Sequence, residues 1–134
     1  MATAVPSKTA VLHAYRHLFR QGLKVIRYST PGRYTLRTIM RRSFRSSSEQ
    51  FDAPRIANTL RFLERATAAA NMEHKIVKNI LITRYWETTP IGKDSRMLRN
   101  LGLFKEEVVL RQSAYEQFNL TLERLNESLG TCLR

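Results

Sequence analysis

His13 and His17 stand four residues apart, the spacing at which two imidazoles on one helix can share a metal ion. Ala14, Tyr15 and Arg16 lie between them, so the glutamate of a zinc hydrolase is missing and a cation sits beside the pair. His74 and Cys132 are the distant further ligands, and two surface histidines on a basic helix are expected instead of a metal site. Glu106 and Glu107 are adjacent, so on a helix they point about 100° apart and make a poor pair for acid–base chemistry. The five glycines fall at 22, 32, 92, 102 and 130, too scattered for a loop that cradles phosphate. No serine sits in a strand–turn–helix nucleophile setting. These residue types predict a protein that is not an enzyme.

Binding chemistry is better represented. The 134 residues hold 23 Lys+Arg against 11 Asp+Glu, a net charge of +12. Residues 1–48 contain ten bases and no acid, whereas residues 49–89 and 90–134 each carry a net +1. An excess of this size predicts an acidic partner: nucleic acid, an anionic membrane surface or an acidic protein. Arg41, Arg42 and Arg45 bracket Phe44, an apolar anchor in a basic surface or a core phenylalanine among solvated arginines. Arg84-Tyr85-Trp86 could stack on a base, but packing between helices is expected of it. An acid-free, Arg-rich start with Ser and Thr is also what mitochondrial import reads. No secretory signal is visible, no apolar run reaches the ~18 residues of a membrane span, and a single cysteine, Cys132, rules out an intrachain disulfide. Two residues from the end, its thiol is expected to be frayed.

The elements that position these residues read as helices. Ser7 caps a first helix to about Ile26, with Val11, Tyr15, Leu18, Gly22 and Val25 inside and Leu12, Phe19, Leu23 and Ile26 widening that face. Thr30 is expected to cap a second, Pro31 to about Ser46, carrying Tyr34, Leu36, Ile39, Met40 and Phe44. Asp52 caps a third, whose inner face is Ile56, Leu60, Leu63, Thr67 and Ala70. Val77 and Leu81 extend that pattern towards Trp86, and the pattern leaves open whether Asn71 interrupts it. Thr88 to Gly92 reads as a linker and Asn100-Leu101-Gly102 as a second break. A last helix, about Leu103 to Leu129, has Val108, Tyr115, Leu122 and Leu129 seven apart, with Phe104, Phe118 and Leu125 between them. Asn119-Leu120-Thr121 and Asn126-Glu127-Ser128 are chance glycosylation triplets inside it. Nothing alternates like a strand, and an all-α fold is expected.

Ala14-Tyr15-Arg16 in the first helix, followed by a basic second helix ending at Phe44, resembles the LYR-motif family of small mitochondrial three-helix proteins. Ala10-Val11-Leu12, Leu18, Arg20-Gln21-Gly22, Arg27-Tyr28 and Arg41-Arg42-Ser43-Phe44-Arg45 extend the likeness over about 10–63. They bring it closest to members found in the assembly module of the mitochondrial large ribosomal subunit. The motif's leucine is Ala14 here, a smaller residue beside a retained Tyr15, Arg16 and Phe44. The resemblance implies a three-helix domain over 1–87; it does not cover 88–134, which the residue pattern divides into a linker over 88–102 and a helical extension over 103–134.

It also implies a function: an adaptor for the mitochondrial acyl carrier protein, acting in the matrix with a ribosome-silencing-factor-like partner during maturation of the large ribosomal subunit. Tyr15, Arg16, Arg20, Arg41, Arg42 and Arg45 would then meet the acidic carrier, and Arg forks suit carboxylates and phosphate. Leu12, Phe19, Leu36, Met40, Phe44, Leu60 and Leu63 would form the core that receives the acyl chain. No cofactor of its own is implied; the acylated 4′-phosphopantetheine arrives on the carrier. The same family supplies subunits and assembly factors of respiratory complexes and of the iron–sulfur cluster machinery, which are alternatives. A direct rRNA-binding protein of the mitochondrial ribosome is a third class, one whose binding weakens steeply with salt.

Overall fold

Local signals start two of the helices where the sequence places them. The Ala10 amide donates to the Ser7 hydroxyl oxygen at 3.2 Å, and the Arg55 amide donates to Asp52 Oδ1 at the same distance. Each cap satisfies a donor that the first turn leaves without an intrahelical partner. The computed structural model describes residues 5–46, 50–88, 99–102 and 104–134. Its five long helices are α1 (Lys8–Val25), α2 (Gly32–Arg45), α3 (Ala53–Ala66), α4 (Met72–Thr88) and α5 (Phe104–Leu129). Among the described residues there is no strand, and the chain is all-α.

The second helix starts differently from the expectation. Pro31, not Thr30, occupies the capping position, and no side chain caps it. The Pro31 carbonyl accepts from the amides of Tyr34 and Thr35 at 3.1 and 3.2 Å. The third expected helix is two helices. α3 stops at Ala66, and α4 starts after a turn over 67–71. Asn71 Nδ2 donates to the Arg65 carbonyl at 2.9 Å, and His74 Nδ1 lies 2.9 Å from the Ala66 carbonyl. Side chains of the next segment thus satisfy carbonyls that a continuing helix would have bonded. Because the helix ends there, Thr67 and Ala70 are exposed, and the inner row of α3 is Thr59, Phe62, Leu63 and Ala66.

α1 packs on α2 and on α3, and α4 packs on both as well, closing a four-helix ring in the order α1, α3, α4, α2. Its core holds Leu18 and Val25 of α1, Phe62, Leu63 and Ala66 of α3, and Val77, Ile80 and Leu81 of α4. The row through Ala14, Leu18, Gly22 and Val25 leaves Leu12 about 160° around the helix from Ala14, and Leu12 is 46% exposed. Leu12 is therefore not a core residue. Gly22 lets α2 come close: a Cβ there would lie 2.7 Å from Leu36 Cδ2.

α2 buries nothing fully. Its apolar row, Leu36, Ile39, Met40 and Phe44, packs half-buried against the core. α5 joins the ring through its C-terminal half, with Leu122 buried and Phe118 and Leu125 beside it. The seven-residue seam does not hold to its end, since a straight helix drifts ~20° per heptad; Tyr115 is half-buried and Leu129 is exposed. The side chains of Phe104 and Val108 and most of the expected linker lie outside the described residues, while Leu101 and Gly102 form the expected second break.

Candidate functional site

The half-burial of α2 has a cause. A half-open cavity of about 950 Å³ lies between the helices, the segment before α3 and the C-terminal residues, and Leu36, Ile39, Met40 and Phe44 of α2 all line it. α1 contributes Val11 and Leu18, and α4 contributes Val77, Ile80 and Leu81. The apolar row of α2 thus packs against the core on one flank and borders open space on the other, which leaves its residues half-buried. A volume of this size is at the upper end of sites for small ligands.

The lining is mixed. Ser43, Ser46, Gln50, Asp52 and Arg55, from the end of α2 to the start of α3, supply polar groups among Phe44, Phe51, Ala53 and Pro54. Leucine, isoleucine and valine of the other helices supply aliphatic lining. Such a cavity fits an amphiphile: an aliphatic chain sheltered by the helices, and a polar group at the junction of α2 and α3.

The structure sorts the residues expected from sequence. Leu36, Met40, Phe44 and Leu63 line the cavity. Phe19 and Leu60 are half-buried but are not among its lining residues, and Leu12 faces solvent. Tyr15 is half-buried and meets Phe44 edge to face at 5.3 Å, with Phe19 stacked on its other flank at 6.1 Å. This aromatic trio pins the C-terminal turn of α2 against α1 at the cavity wall, and such ring pairs are worth ~0.5–1.5 kcal/mol beyond their burial. Ala14 is buried beside it, and a larger side chain there would need room that the α1 packing does not leave.

Arg16, Arg20, Arg41, Arg42 and Arg45 are all exposed, as are the other five bases of residues 1–48. Asp52–Arg55, Arg84–Glu87 and Arg111–Glu107 are ion pairs among the described residues, and none of them is from α1 or α2. The basic flank is turned outwards. Arg41 and Arg45 share one face of α2, whose Ser43, Phe44 and Ser46 line the cavity, so positive charge borders its polar groups there.

Sequence reasoning missed the C-terminal tail. Cys132, Leu133 and Arg134 line the cavity, and the expected fraying of Cys132 does not occur. The Cys132 amide donates to Thr59 Oγ1 at 3.0 Å, and Leu133 is buried in the core. Arg55 and Arg134 are the lining arginines, and neither stood out by spacing.

The remaining expectations resolve individually. His13 and His17 are exposed, with ring centroids 6.4 Å apart. Arg84 joins α4 to α5: it donates to Asn119 Oδ1 at 2.9 Å and lies over the Phe118 ring at 5.4 Å. Trp86 does not pack as expected and is 60% exposed.

No family model matches the chain, and no solved structure matches it. A UPF0593 mitochondrial protein of Schizosaccharomyces pombe is similar to it, with 30% identity over 115 residues that cover 84% of this chain and 88% of the relative.

Proposed function

The chain belongs to the UPF0593 family of mitochondrial proteins, and from that premise we propose that it is a non-enzymatic adaptor of the mitochondrial matrix that binds the acylated acyl carrier protein. The observation that carries this reading is the apolar cavity behind α2, bordered by the outward-facing arginines of a segment with no acid. The two halves suit the two halves of an acylated carrier. An acyl chain gains about 0.8 kcal/mol for each methylene it buries, and the cavity offers it aliphatic walls. The acidic carrier and its phosphopantetheine phosphate meet guanidiniums that are already paired with nothing acidic on their own helices. The motif residues Tyr15, Arg16 and Phe44 link the two, since the Tyr15–Phe44 contact joins α1 to the basic end of α2.

The complex acts, on the same reading, in maturation of the mitochondrial large ribosomal subunit, together with a ribosome-silencing-factor-like protein. Ten exposed bases on α1, α2 and their connection exceed what one carrier covers and supply contacts to rRNA phosphates. Roles in a respiratory complex or in iron–sulfur assembly use the same carrier surface and differ in the assembly joined.

Co-expression with the carrier tests the proposal. The wild-type chain is expected to co-purify with a carrier whose phosphopantetheine is acylated, detected by intact-mass measurement. Arg41→Glu with Arg45→Glu is expected to abolish capture while helicity is unchanged, since a desolvated charge pair can contribute ~2–5 kcal/mol. Undiminished capture by the double variant would refute the assignment of that surface.

A further inference from the structure

The connection between α1 and α2, taken with the first turn of α2, runs from Arg27 to Tyr34. It begins and ends on the same pair, Arg27-Tyr28 and Arg33-Tyr34. All four residues are exposed, Tyr28 by 59% and Tyr34 by 53%. Arg27 and Tyr28 hold left-handed backbone, which takes them off the helical path of α1. Glycine would hold either position without strain, yet the side chains here are a cation and an aromatic ring. Tyr34 is oriented by its neighbour. Arg33 Nη2 donates to the Tyr34 hydroxyl oxygen at 3.0 Å, and the guanidinium carbon lies over the ring at 4.8 Å from its centre.

This tip lies away from the carrier-facing arginines. Gly22 faces Leu36 and Tyr15 meets Phe44, so residue numbers rise along α1 as they fall along α2. Arg45 is therefore about 16 Å along α2 from Tyr34, at the other end of the helix pair. Between the two Arg-Tyr pairs stand Ser29, Thr30, Pro31 and Gly32, and the tip has no leucine, isoleucine, valine, methionine or tryptophan. An interfacial membrane contact inserts such side chains, and a protein interface buries a hot spot within an apolar patch. Exposed cations interleaved with exposed tyrosines match a nucleic-acid strand instead: guanidiniums meet phosphates and rings meet base faces. A duplex hides those faces in its own stack, so the strand that fits is a single one.

We infer that the α1–α2 tip binds single-stranded RNA, with Tyr28 and Tyr34 as stacking platforms and Arg27 and Arg33 on the phosphates. The inference deepens the ribosomal half of the proposed function, and the choice of RNA over DNA rests on that reading.

The test uses the full purified chain and fluorescence anisotropy with a short labelled RNA of mixed sequence. The same RNA annealed to its complement, and its DNA counterpart, are titrated alongside. The single strand is expected to bind roughly tenfold tighter than the duplex. Tyr28→Ala and Tyr34→Ala are each expected to weaken single-strand binding roughly tenfold and to leave duplex binding unchanged. Tyr28→Phe and Tyr34→Phe keep the rings and are expected to keep most of the affinity. Arg27→Gln with Arg33→Gln is expected to make the fall of log affinity with log salt shallower by about 1.4, two contacts at ~0.7 each. Trp86→Ala removes an equally exposed ring from α4 and is expected to change nothing. Circular dichroism establishes that each variant is folded, and both tyrosine-to-alanine variants are expected to capture the carrier as the wild type does. Equal binding of single strand and duplex, or full affinity in both alanine variants, overturns the inference; with carrier capture intact, the adaptor stands without it. Single-strand binding by a chain that captures no carrier does the reverse. DNA bound more tightly than RNA overturns the assignment to RNA. Binding to anionic phospholipid vesicles in place of RNA, lost with the tyrosines, gives the tip to a membrane and overturns the inference as well.

Discussion

Arg27 and Tyr28 hold left-handed backbone, with φ of 52° and 57°. They close α1 with paired bonds: the Arg27 amide donates to the Lys24 carbonyl at 3.1 Å and the Tyr28 amide to that of Leu23 at 3.0 Å. Glycine is the usual residue at the first of these positions, because a Cβ there crowds the following carbonyl at a cost of roughly 1–2 kcal/mol. Arg27→Gly is therefore expected to raise stability by about 1 kcal/mol, read as a higher urea midpoint at constant slope. On the proposed reading the Arg27 charge belongs to the basic flank, and carrier capture by the same variant is expected to fall slightly. At Gly22 the opposite logic applies. Gly22→Ala gains about 1 kcal/mol of helix propensity but pushes the Leu36 methyl groups aside, and the cavity is where they can go. Near-wild-type stability with weaker fatty-acid binding is the expected outcome; a large loss of stability would show that Leu36 cannot yield. Residue by residue, the sequence was informative wherever a signal was local. It failed for Leu12, where a broad apolar stripe hid which row faces in, and for Cys132, whose fastening atoms lie on Thr59, 73 residues away.

The helices themselves were mostly legible, and for the same reason. Ser7 and Asp52 cap amides three residues on, within reach of a local reading. Asp52→Ala is expected to cost about 1 kcal/mol through the lost cap, measurable by thermal unfolding. The division of the third expected helix was hidden because Ala68, Ala69 and Ala70 favour helix, while the bonds that end α3 come from Asn71 and His74 beyond the turn. Once α3 stops at Ala66, its inner row shifts to Thr59, Phe62, Leu63 and Ala66, and Thr59 becomes available to the tail. α2 shows most clearly what pattern alone omits. Spacing identified Leu36, Met40 and Phe44 as one apolar row, but a row wholly packed on a core and a row bordering a cavity have the same spacing.

At the scale of the molecule, charge and shape are divided between parts of the chain. The basic surface belongs to the first 48 residues, whereas the ring and its cavity need α3, α4 and the tail as well. The flank and the cavity should thus respond to different conditions: capture of an acidic partner is expected to slow as salt rises, with fatty-acid affinity little changed. Asn126→Ala is expected to cost about 2 kcal/mol, since three hydrogen bonds to the tail go with it. Its amide-exchange signature is specific: Cys132 and Leu133 lose protection while Leu18 and Leu63 keep theirs. The cavity wall that the tail forms is held across 73 residues, from Cys132 to Thr59, so it forms by a non-local contact, and the cavity gains this side only once α5 has folded back onto α3.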